Sequence, residues 1–184
     1  WVRQNYGLAS NDYARRPVLS GTWRRGLSDT LTAEAHGEAT QGLANLGGGG
    51  AWLLGNAGVL SGALAASSGS GQSGTQLNLG YNWNNERFNV GFTGTRTQGQ
   101  YRDAAALYGA ALARASGSAT VGYNLSELGS VSLSLLYQNY PGQPASRYAS
   151  AGWFKALGRQ ATLSVSANRD LTNRKLYSVF VNLS

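Results

Sequence analysis

Along Thr75–Thr97 apolar and polar residues alternate at every second position. Leu77, Leu79, Tyr81 and Trp83 share one parity, while Gln76, Asn78, Gly80 and Asn82 share the other. After Asn84-Asn85-Glu86-Arg87 the alternation restarts, with Phe88, Val90 and Phe92 opposed to Asn89, Gly91, Thr93 and Thr95. A period of two marks strands whose two faces meet different surroundings. The Asn-rich tetrapeptide predicts a tight hairpin between them. The second face is small and polar with few charges, where a hairpin in water commonly shows Lys and Glu. That combination resembles lipid on one side and a wet interior on the other.

The same grammar extends along the chain. A strand is expected over Trp1–Leu8, a polar loop over Ala9–Arg16, and a second strand from Pro17 to Gly26. In Leu31–Thr40 the residues Ala33, Ala35 and Ala39 oppose Glu34, His36 and Glu38. Further on, Val131, Leu133, Leu135 and Tyr137 oppose Ser132, Ser134 and Gln138. Ala161, Leu163, Val165 and Ala167 form another apolar row, as do Tyr177, Val179, Val181 and Leu183. Over 147–157 both parities hold an aromatic, and the facing stays open.

Connections are expected to alternate between short (26–29, 55–58, 84–87, 125–129, 157–160) and long (40–45, 67–74, 98–114, 140–147, 169–175). In the longest, Asp103 is placed to cap a short helix. Strands of about nine to eleven residues match a tilted bilayer crossing. Short turns opposite longer loops are the pattern of an outer-membrane barrel. The fold expected is therefore all-β, an antiparallel transmembrane β-barrel domain or segment with about 11–12 strands over residues 1–184. Trp23, Trp52, Trp83, Phe88, Tyr123, Tyr137 and Tyr177 lie near strand ends, where aromatic rings sit at headgroup level. The lumen-facing set expected is Glu34, His36, Glu38, Gln76, Asn78, Asn82, Ser132 and Ser134.

Composition agrees with this picture in one respect and complicates it in another. Charged residues are 12% and Gly numbers 26, while a mean hydropathy of −0.27 hides the barrel signal because lumen residues cancel lipid-facing ones. No apolar run approaches the ~20 residues of a membrane helix. The chain starts at Trp1 without Met, as a mature form or a fragment would. With no cysteine, disulfides and thiolate chemistry drop out.

The net charge of +7 invites a nucleic-acid reading. The cations do not support it. Arg15, Arg16, Arg102, Arg114, Arg147, Arg169, Arg174 and Lys175 fall in expected loops or strand ends, with no basic strand face. Basic loops would meet lipopolysaccharide phosphates or water, and no nucleic-acid partner is expected.

Catalytic chemistry is equally thin. His36 is the one histidine, between Glu34 and Glu38, and nothing else supplies imidazole or thiolate for a metal. A polar lumen patch touching a plug or cargo is the expected role. Gly47–Gly50 does not join a strand to a helix, so a phosphate loop is not expected, and curvature or close approach explains it better. No triad can be assembled. Neither enzymatic activity nor a cofactor is expected.

At Tyr6–Ala39 the run YGLASNDYARRPVLSGTWRRGLSDTLTAEAHGEA resembles the outer-membrane usher of the chaperone–usher pilus pathway. The segments 50–67, 74–95 and 157–184 continue in the same manner, with Gly-Leu-Ser-Asp after an aromatic strand the most distinctive string. The resemblance implies a bacterial outer-membrane pore that takes pilus subunits from a periplasmic chaperone and passes the fibre outward. It also implies a plug domain and periplasmic domains, and no segment of these 184 residues reads as either. The expectation is thus a barrel portion of an usher. A stand-alone small porin or diffusion channel is the alternative, and a soluble β-rich adhesin the third.

Overall fold

When every strand keeps its apolar residues on one parity, neighbours in sequence can share faces by pairing as hairpins in register. The computed structural model, which describes residues 17–109, 111–158, 161–173 and 175–184, shows this arrangement. Eleven strands form one antiparallel sheet, each beside its neighbours in sequence. They are β1 (Leu19–Gly26), β2 (Leu31–Thr40), β3 (Leu43–Leu53), β4 (Val59–Gly69), β5 (Gln72–Asn84) and β6 (Phe88–Gly99). β7 (Ala115–Asn124), β8 (Ser130–Asn139), β9 (Ser146–Leu157), β10 (Ala161–Asp170) and β11 (Tyr177–Leu183) complete it. Among the described residues β1 and β11 are each paired on one side only, so the sheet is open. The expected strand Trp1–Leu8 and loop Ala9–Arg16 lie outside the described residues.

Register separates two faces cleanly. Leu133 stands opposite Ala151, Ala151 opposite Ala167, and Ala167 opposite Val179. On the reverse, Glu38 stands opposite Asn45 and Asn45 opposite Ser67. β9, ambiguous in sequence, is settled by its partners: Trp153 pairs with Val131 and Val165 on the apolar face, Phe154 with Ser130 and Ser164 on the polar one. Along β5 the apolar row Leu77–Trp83 covers about 20 Å. Beyond it Thr75 and Ser73 take over the same face.

Two expected loops are corrected. Residues 40–45 and 67–74 are mostly strand, closed by the two-residue turns Gln41-Gly42 and Ser70-Gly71. Gly42 has φ 82°, and Ser70 and Gly71 have φ 49° and 75°, the left-handed pair that a tight hairpin turn between twisted strands requires. The strict alternation of short and long connections therefore fails. One end of the sheet, here the lower end, carries 27–30, 54–58, 85–87, 125–129 and 158–160. The upper end mixes two tight turns with the connections 100–114, 140–145 and 171–176. The expected helix after Asp103 is corrected to a single 3-10 turn, Ala106–Tyr108, ended by Gly109 at φ 97°.

The sheet has almost no core. Among the described residues only Leu43, Tyr101 and Ala104 are buried apolar side chains. Large apolar residues such as Leu79, Leu133 and Val181 face outward at 48%, 50% and 68% exposure. The apolar face carries no Asp or Glu among the described residues; its charges are Arg25, Arg96, Arg147, Lys155 and Arg169, all towards strand ends.

Candidate functional site

The polar face of β1–β6 lines an open cleft of about 610 Å³ that runs from Thr22 on β1 to Thr93 and Thr95 on β6. A cleft touching six consecutive strands, with Tyr101 and Asp103 of the β6–β7 connection also in its lining, fits a sheet that curls round it. Curling crowds side chains on the inner face, and small residues relieve the crowding. Gly49 shows this directly, since a Cβ there would stand 2.7 Å from the Cβ of Ala63. Gly47, Gly49, Ala63 and Ala65 thus make a bare floor, with curvature and close approach as the physical reason for the glycine run.

Over this floor folds the β6–β7 connection. It leaves β6 at Gly99 and turns back across the polar face towards β2–β4. The Tyr101 hydroxyl accepts from Asn45 Nδ2 at 2.9 Å, and the Arg102 carbonyl accepts from the same amide at 3.1 Å. Arg102 donates its backbone N–H to Ser67 Oγ at 2.8 Å and a guanidinium N–H to the Gly69 carbonyl at 2.7 Å. Glu38 Oε2 accepts the Ala104 N–H at 2.9 Å, and Asp103 Oδ1 accepts the Ala106 N–H at 2.7 Å. Two carboxylates therefore satisfy the N–H donors of Ala104 and Ala106 in a turn that has no strand partner. Gly74 makes room for the crossing, because a Cβ there would collide with the Tyr101 backbone nitrogen. Burial raises the Tyr101 phenol above its ordinary pKa. The carboxylates of Asp103 and Glu38 add to that rise, while the Asn45 donor opposes it.

A side-chain relay links this loop to the sheet edge. Glu38 Oε1 accepts from His36 Nε2 at 2.9 Å, and His36 Nδ1 lies 2.9 Å from Thr22 Oγ1. With Glu38 ionised, Nε2 carries the proton, and in the neutral ring Nδ1 accepts the threonine hydroxyl. Beside it Arg24 pairs with Glu34 at 3.1 Å, both exposed. Among the described residues no group of three or more His, Asp or Glu gathers as a metal site.

The residues expected on the second face share one surface. Glu34 stands opposite Gly49, Gly49 opposite Ala63, and Ala63 opposite Asn78. Ser134 connects through Thr120 and Gly91 to Asn82. Gln76 and Ser132 lie in adjacent rows of that face. Asn78 Oδ1 accepts from Thr95 Oγ1 at 2.7 Å, and Asn78 donates to Gln76 Oε1 at 3.2 Å. Glu38 alone of the set grips the loop.

The seven expected aromatics fall on the apolar face. Trp23, Trp52, Trp83, Phe88 and Tyr123 lie towards the lower end, and Tyr137 and Tyr177 towards the upper. Phe88 packs on Tyr123 with centroids 4.5 Å apart. Polar tips reach the turns: Trp83 Nε1 donates to the Asn56 carbonyl at 2.7 Å, and Trp153 Nε1 to that of Leu128 at 2.9 Å.

Sequence reasoning missed Asn45, Ser67, Tyr101 and Arg102, and placed Asp103 at a helix cap. Gly74 inside a strand was the available signal, since an isolated strand glycine marks close backbone approach. No protein-family model matches the chain, and no curated protein sequence matches it.

Proposed function

We propose that the chain is part of an outer-membrane β-barrel, the pore segment of a pilus usher through which subunits cross the bacterial outer membrane. One observation carries the membrane reading: eleven strands expose a continuous apolar face, with only three buried apolar side chains among the described residues. In water a sheet of this kind would need a second layer to cover it. In a bilayer the lipid is that layer. An apolar row of about 20 Å, bounded by polar-tipped aromatics, fits the outward band of a transmembrane barrel. No described helix is long and apolar enough to span a membrane, a test that does not apply to strands.

The usher assignment rests on the resemblance over Tyr6–Ala39 and the later segments. In it the polar face is a low-adhesion wall for passing subunits, and the loop anchored by Glu38 stands where plug or cargo would meet that wall. The periplasmic chaperone and pilus subunits are then the partners, with outer-membrane lipid around the barrel.

A small diffusion channel is the second reading. The connection folded onto the polar face favours it, because a narrowed lumen suits small solutes. Recording single-channel currents from the refolded chain in planar bilayers separates the two. Absent or erratic currents, with the chain carbonate-resistant in membranes, support a piece of a larger pore. Stable discrete openings would place the small channel first. A chain that stays in solution without detergent would overturn both.

A further inference from the structure

We infer that the apolar face of β8–β11 holds one phospholipid of net negative charge in a defined groove, with its acyl chain on an alanine floor and its phosphate on Arg147 and Arg169. This rests on the membrane reading above and adds a particular site to it. The groove has a volume of about 520 Å³, with Ala149, Ala151 and Ala167 below and Leu133, Tyr177 and Val179 at its sides. Register explains the notch. Leu133, Ala151, Ala167 and Val179 stand side by side across four strands, so two methyl groups lie between two larger side chains. The next row towards the upper end reads Leu135, Ala149, Arg169 and Tyr177. A cation therefore closes an apolar trough at one end.

A second cation stands beside it. Arg147 pairs with Tyr137, and its guanidinium carbon lies 5.8 Å from that ring's centroid. A ring in this position attracts the cation, which stands outside the groove's lining, one row above Ala149 on the same face of β9. Among the described residues neither arginine forms an ion pair, and their face carries no carboxylate. Asp170 follows Arg169 but points to the opposite face. Two unneutralised guanidiniums beside an apolar trough match an anion joined to a hydrocarbon chain. A free phosphate would use the arginines and leave the trough empty, so the occupant is an amphiphile. Guanidinium geometry suits phosphate oxygens in particular.

The full chain, refolded in a neutral detergent, would be titrated with dimyristoylphosphatidylglycerol and dimyristoylphosphatidylcholine, with bound lipid counted by native mass spectrometry. One phosphatidylglycerol should bind more tightly than phosphatidylcholine. The double variant R147Q/R169Q should weaken it about tenfold, while R96Q, on the same face away from the groove, should not. Ala151→Trp, which fills the floor, should reduce binding of both lipids. Unchanged phosphatidylglycerol binding in R147Q/R169Q, or equal binding of the two lipids, would overturn the site. Flotation with mixed phosphatidylglycerol and phosphatidylcholine vesicles separates the two levels of failure. A wild-type chain that does not float removes the membrane reading and the groove with it. One that floats while R147Q/R169Q leaves the count of bound phosphatidylglycerol unchanged removes the groove alone.

Discussion

Beneath the β6–β7 connection, the polar face of β2–β5 presents Glu38, Asn45 and Ser67 around a floor of Gly47, Gly49, Ala63 and Ala65. Across β7–β10 the same face presents Ser118, Thr120, Ser134 and Ser150, all part-exposed, together with Leu136 and Tyr148 at 40% and 43% exposure. Both halves follow one alternation, and both turn the same apolar surface outward. They differ in where their polar groups find partners. Glu38, Asn45 and Ser67 of the first half are spent on a crossing loop, while polar groups of the second pair across strands, as Thr120 does with Ser134 at 3.3 Å. A two-faced sheet thus fixes which residues are polar, and the long connection decides which of them become a site.

The largest expected effect tests what the halves share. Leu79→Arg in β5 and Leu133→Arg in β8 should each cost about 2–4 kcal/mol near the bilayer midplane. Urea unfolding from vesicles measures both, and a negligible cost in either half would mean that its faces are reversed.

Next comes the crossing itself. Gly74→Ala should cost about 2–3 kcal/mol, because the added Cβ meets the Tyr101 backbone and the loop must lift. Trypsin should then cut at Arg102 faster than in the wild type, where its backbone N–H and its guanidinium are both bonded to the sheet. The matched change in the other half, Gly152→Ala, comes no nearer than 3.1 Å to Ser132 Oγ, a side-chain atom, and should stay below about 1 kcal/mol. Equal costs would erase the contrast.

Hydrogen bonds sharpen it further. Asn45→Ala removes the amide donor from Tyr101 and the Arg102 carbonyl at a buried position, for about 1–2 kcal/mol. Ser134→Ala at a part-exposed pair should fall within about 0.5 kcal/mol. The same unfolding assay ranks the two.

The smallest effect is in pH. A phenol whose folded pKa is raised stabilises the docked loop fully below its unfolded value, about 10. That contribution is lost as pH rises through the higher folded value. Tryptic cleavage at Arg102 should therefore accelerate on the alkaline side, and in Tyr101→Phe the phenol-dependent part of that rise should vanish.

Much of this architecture was legible because periodicity and register obey the same rule. The rows Leu77–Trp83 and Val131–Tyr137 announced their faces, and Asn84–Arg87 announced its turn. The failures have physical causes. Leu43, Asn45 and Ser67 lie among Gly, Ser and Asn, which read as loop when a strand's polar face is made of the same small residues. β9 carries aromatics on both parities, so only its partners could orient it. The grip of Glu38 on Ala104 joins residues 66 positions apart, a separation that no local pattern encodes.

Eleven is an odd number, and strand directions alternate. β1 and β11 therefore run the same way, from the upper end to the lower, and both offer an unpaired edge among the described residues. Joining them to each other would make a parallel seam. Two like-oriented copies of this sheet would meet the same obstacle, since all four of their edges point downward. Antiparallel closure of the eleven described strands needs an odd number of further strands, from this chain or another, the first climbing from the lower end to the upper. The edges of the described sheet are thus a polarity filter, accepting a further strand only in the direction opposite to their own.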